Sequence, residues 1–81
     1  MADDVRQLLA RIVVDPEVQG GRPVVRGTRV PVARIVAALS AGADFSELRE
    51  DYSLVDEDIR AALAYAAKTV EETELHELPA A

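Results

Sequence analysis

Gly20-Gly21-Arg22-Pro23-Val24-Val25-Arg26-Gly27-Thr28-Arg29-Val30-Pro31-Val32 divides the chain into two unlike parts. Three glycines, two prolines and three arginines share these residues, so the stretch cannot be regular helix. Gly20, Gly21, Pro23, Gly27 and Pro31 are the residues expected to shape the loop. Arg22, Arg26 and Arg29, with Thr28, are then held in set directions rather than scattered. Gly27-Thr28-Arg29 reads as a turn.

Working outward, the segment before this stretch carries two short signals. Residues 3–10 read as an amphipathic helix, with Asp3 or Asp4 as cap and Val5, Leu8, Leu9 and Ile12 at helical spacing. Ile12-Val13-Val14 is a β-branched run stopped by Asp15-Pro16. Paired with Val24-Val25 it would form a short antiparallel ladder. A ribbon that small must pack on helices or on a second subunit.

After the stretch the pattern becomes helical. Pro31 suits a helix start, and Val32, Ile35, Val36 and Leu39 repeat at helical spacing up to Gly42, a natural C′ stop. Asp44-Phe45-Ser46-Glu47 is a capping-box pattern opening a helix over 45–51, with Phe45 and Leu48 inward. Asp56 is expected to cap a third helix over about 57–72. Its inner stripe would be Ile59, Ala62, Leu63, Ala66 and Val70. The acidic end, 71–81, is expected to fray. The predicted fold is mainly α: a short N-terminal β-element followed by a three-helix, homeodomain-like or helix-turn-helix-like bundle. One domain over 1–81 is expected.

Composition excludes several functions. A chain of 81 residues has a small core, burying only about 60% of its unfolded surface. It has no cysteine, so neither disulfide nor thiolate chemistry supports it, and its lone His76 cannot build a zinc site. Neither a Ser/His/Asp or Cys/His set nor a phosphate-loop pattern is present, so no enzyme, metal or cofactor is expected. No signal peptide or membrane-length apolar run is seen, which makes the cytoplasm the default.

Charge is unevenly divided. The net is −6. Residues 1–31 hold five arginines against four acids, a net of +1, while 32–81 hold four cations against eleven acids, a net of −7. A DNA-reading helix presents Arg, Lys, Asn or Gln near its N-terminus. The third helix instead opens Asp56-Glu57-Asp58, which would repel phosphate and suits the helix macrodipole. DNA contact is therefore expected to be weak, or made only by a complex.

Two surfaces are left as partner-binding candidates. Arg22, Arg26, Thr28 and Arg29 either hold the loop or dock on an acidic surface, where the guanidinium fork binds two oxygens at once. The third helix also has a second face of small residues with Ala61 and Tyr65. With Val13 and Val25 of the ribbon, these are the candidate interface of a homodimer.

The run from Asp15 to Val32 resembles the signature of a small prokaryotic family, domain of unknown function four-three-three, often described as VapB-type antitoxins. The likeness continues through Ala41-Gly42, Glu50-Asp51-Tyr52 and Asp58-Ile59-Arg60-Ala61-Ala62-Leu63 with Tyr65-Ala66, and covers about 11–68. The resemblance implies a homeodomain-like helical fold and an antitoxin of a type II toxin–antitoxin pair. The implied partner is a PIN-like ribonuclease toxin from an adjacent gene. No catalytic residues come with it. Arg22, Arg26 and Arg29 would plug the acidic metal site of such a nuclease. A second route is phosphate mimicry by Glu71, Glu72, Glu74 and Glu77. Alternative readings are a DNA-binding autorepressor, or a structural dimer module without a nuclease partner.

Overall fold

The fold is taken from a computed structural model, which describes residues 2–77, with side chains described for 4–73. In chain order the elements are α1 (Ala2–Leu9), β1 (Ile12–Val14), a 3-10 turn (Gln19–Gly21), β2 (Pro23–Val25), α2 (Val32–Ser40), α3 (Phe45–Tyr52) and α4 (Asp56–Glu77). This is the mainly helical plan with a two-stranded ribbon that the sequence predicts.

β1 and β2 pair antiparallel with Ile12 opposite Val25, Val13 opposite Val24 and Val14 opposite Pro23. The ribbon does not stand alone. α4 lies against both strands and α2 against β2, so helices cover it without a second subunit. Both α1 and α2 pack on α4, while making little contact with each other. The core is Val25, Val32, Ile35, Leu48, Leu54, Ile59 and Ala62, with Phe45, Tyr52 and Tyr65 packed partly against it.

Helix ends follow local chemistry closely. At the end of α2, Gly42 takes φ +104°. The Ala43 N–H donates to Ala38 C=O at 3.0 Å and the Gly42 N–H to Leu39 C=O at 3.0 Å, forming a Schellman motif. At the start of α3 the Glu47 N–H donates to Asp44 Oδ1 at 2.9 Å, and the Asp44 N–H to Glu47 Oε1 at 3.2 Å, completing the expected capping box.

Several expectations need correction. Asp56 does not cap α4: it lies within the helix and pairs with Arg49. The closing bond comes from Asp58, whose Oδ2 accepts from the Val55 N–H at 3.1 Å. Leu63 and Val70 are not inward, being 39% and 57% exposed. Ala61 is fully buried instead, so the inner face of α4 is rotated from the predicted stripe. The cause is that α1 and α2 both pack on this helix, which widens its covered surface. α4 continues past the expected end to Glu77. Residues 78–81 lie outside the described residues. The first helix begins at Ala2, which places Asp4 inside it rather than at its cap.

Candidate functional site

The arginine segment folds as an extended strand followed by a tight hairpin. Before the strand, the chain turns through Gln19, Gly20 and Gly21 at φ +52°, +65° and +87°. A Cβ at Gly20 would meet nothing within 4 Å, so the glycine answers the backbone angle rather than a lack of space. After the strand, the Thr28 N–H donates to Val25 C=O at 3.0 Å, closing a β-turn over 25–28. Gly27 at φ +79° is its third residue, which fits a type II turn.

Thr28 locks this hairpin. Its hydroxyl donates to Val25 C=O at 2.8 Å and accepts from the Val30 N–H at 3.0 Å. The Val25 N–H in turn donates to Val30 C=O at 3.1 Å, and the Arg26 N–H to Arg11 C=O at 2.7 Å. The hydroxyl is thus engaged inside the loop, where the sequence reading had placed it among partner-binding residues. No arginine side chain holds the turn: Arg22, Arg26 and Arg29 are all exposed and form no ion pair among the described residues. Asp15 and Glu17 do not neutralise them. Asp15 Oδ1 instead accepts from the Glu17 N–H at 2.9 Å.

The three guanidinium groups do not form one cluster. Arg22 and Arg26 flank opposite ends of β2, with Cα atoms about 13 Å apart at the usual strand rise. Arg22 lies at the edge of an apolar groove between α2 and the C-terminal half of α4. That groove has a volume of about 410 Å³, and Pro23, Val36, Ala37, Tyr65 and Val70 are among its lining residues. Arg29 faces a separate crevice with Arg34. The groove is the feature sequence reasoning missed. Val36 was read as core and Val70 as part of the inner stripe, yet both line the groove, and only the spacing of α2 from α4 creates it.

Of the candidate homodimer residues, Val25 and Ala61 are fully buried inside the chain and offer no surface. Val25 carries a central part of the core, and the neighbours packed on α4 close over Ala61. Val13 and Tyr65 remain half-buried, and Tyr65 lines the groove.

Two of the acids that begin α4, Asp56 and Asp58, are engaged within the chain. Asp58 Oδ1 accepts from Arg11 Nη1 at 3.0 Å, and Asp56 pairs with Arg49. Among the described residues no group of three or more His, Cys, Asp or Glu side chains could hold a metal ion, and no helix is long and apolar enough to cross a membrane.

These features can be set beside known proteins. The family model "Protein of unknown function (DUF433)" matches residues 12–66, spanning the ribbon, the hairpin and the helices up to the middle of α4. The chain belongs to this family. It is 40% identical over 65 residues to "Uncharacterized protein y4eO" of Sinorhizobium fredii, covering 79% of this chain and 29% of that protein. It is 39% identical over 54 residues to "Putative antitoxin VapB45" of Mycobacterium tuberculosis, covering 67% of this chain and 23% of that protein. The chain thus spans less than a third of the length of either relative. The crystal structure of a DUF433 member protein from Anabaena variabilis superposes with a TM-score of 0.72 at 35% identity, covering 91% of this chain and 74% of the other.

Proposed function

We propose that this DUF433 chain is the antitoxin of a type II pair and restrains a PIN-like ribonuclease toxin from an adjacent gene by protein–protein contact, without catalysis. The observation that carries this reading is the groove between α2 and α4, an open apolar surface with Arg22 at its edge. Apolar surface left uncovered on a small domain marks a place where a partner docks. The likeness to the mycobacterial protein named as a putative antitoxin supports a toxin as the partner. An apolar segment of the toxin fills the groove, and a toxin carboxylate meets Arg22 through its planar fork. Arg26 extends the contact along the hairpin. The groove is preformed, so little ordering entropy opposes binding.

The first turn of α4 carries Asp56, Glu57 and Asp58 where a DNA-reading helix presents Arg, Lys, Asn or Gln, which speaks against a DNA-facing role for that helix.

The test co-expresses the chain with the neighbouring nuclease. Ala37→Glu and Val70→Glu place charge in the groove at two exposed positions, so the fold is kept. Loss of toxin capture and of inhibition in both variants is expected. Folded variants that still capture and fully inhibit the nuclease would remove the groove from the mechanism. The absence of any nuclease frame beside the gene would remove the antitoxin reading itself.

A further inference from the structure

On another side of Pro31 lies a second concavity, unlike the groove in chemistry. It measures about 260 Å³ and is lined by Gln19, Arg29, Val30, Pro31, Arg34 and Tyr52. We propose that this crevice binds a phosphate group.

The argument starts from charge. The protein carries a net charge of −6, yet two guanidinium groups line one small crevice and no acid does. Neither Arg29 nor Arg34 forms an ion pair among the described residues; the three pairs present use Arg11, Arg49 and Lys68. Two like charges in one crevice repel each other, and a bound anion relieves that repulsion. A dianion matches two guanidinium groups in charge, whereas a single carboxylate would leave one cation unmatched. Phosphate also offers several oxygens to the planar forks.

The surroundings suit the same ligand. The Gln19 side chain brings an amide donor, and its backbone is held at φ +52° by the turn before β2. Tyr52 supplies an aromatic wall. The crevice is smaller than pockets that enclose drug-sized ligands and has room for a phosphate group. The proposal is independent of the antitoxin reading, since it requires no toxin.

The test is an NMR titration of the full chain with inorganic phosphate, and separately with adenosine 5′-monophosphate. The side-chain Nε–H signals of Arg29 and Arg34 and the backbone amides of residues 29, 30 and 32–34 are followed. Saturable shifts at these positions are expected, at least tenfold weaker in Arg34→Ala and unchanged in Arg60→Ala, an exposed arginine elsewhere. Arg34 is itself exposed, so Arg34→Ala keeps its fold, which its own spectrum verifies. Tighter binding of the nucleotide with a shift of the Tyr52 ring identifies a nucleotide source. Equal affinity without that shift identifies free phosphate. Shifts no larger than those from sodium chloride at matched ionic strength, or undiminished binding by Arg34→Ala, overturn the proposal.

Discussion

Arg11 Nη1 donates to Asp58 Oδ1 at 3.0 Å, joining residues 47 positions apart and fastening the start of β1 to the first turn of α4. Asp58 is the less exposed partner, and its other oxygen accepts from the Val55 N–H. One carboxylate therefore closes a helix end and binds a distant strand.

This double role predicts unequal costs. Arg11→Ala removes only the ion pair and is expected to destabilise by less than about 1 kcal/mol. Asp58→Ala also removes the bond that closes the start of α4, raising the expected cost to about 1–2 kcal/mol. Urea unfolding of both single variants and the double variant measures the difference. A coupling energy near zero would show that the pair adds nothing to stability.

Thr28 predicts a hydroxyl-specific effect. Thr28→Val keeps the β-branched shape but leaves the Val30 N–H without its partner, while Val25 C=O keeps only the Thr28 N–H. The expected loss is about 1–2 kcal/mol. Thr28→Ser keeps the hydroxyl and should recover most of it. Equal midpoints for the two variants in chemical denaturation would contradict this account.

Gly42 isolates a backbone effect. An added Cβ meets no atom within 4 Å, so Gly42→Ala acts through the φ of +104° alone. A loss of about 1–2 kcal/mol is expected, with α2 and α3 otherwise intact. Thermal unfolding followed by circular dichroism reads both the midpoint and the retained helix.

The rotation of α4 yields a contrast between two apolar residues. Ile35 of α2 is fully buried where it faces α4, and Ile35→Ala is expected to cost about 2–5 kcal/mol, much of the stability of so small a domain. Leu63 is partly exposed, so Leu63→Ala should cost far less. Comparable losses from both variants, measured by urea titration, would restore Leu63 to the core.

Local features were legible wherever chemistry and backbone lie within a few residues of each other. The β-branched runs became β1 and β2, Asp44 and Glu47 closed the box of α3, and Gly42 ended α2. The inner face of α4 was harder to read. Small alanines lie on several faces of that helix, so helical periodicity did not separate Ala61, which is buried, from Leu63, which is not. The same ambiguity made Ala61 look like part of a dimer face, and Val25 was placed there because a two-stranded ribbon needs cover, which α2 and α4 supply. Asp56 looked like a cap because it precedes the apolar pattern, but its carboxylate is drawn to Arg49.

The sequence by itself determined the order of elements, the end of α2, the capping box of α3 and the shaping of the hairpin, because caps, turns and β-branched runs act over short distances. It also carried the family signature. Tertiary structure alone decided that Arg22, Arg26 and Arg29 stay exposed and without an ion pair among the described residues. It also sent Arg22 to the apolar groove and Arg29 to the crevice beside Arg34. Those destinations depend on how α2 and α4 pack around the ribbon, and side chains distant in sequence meet only after that packing has formed.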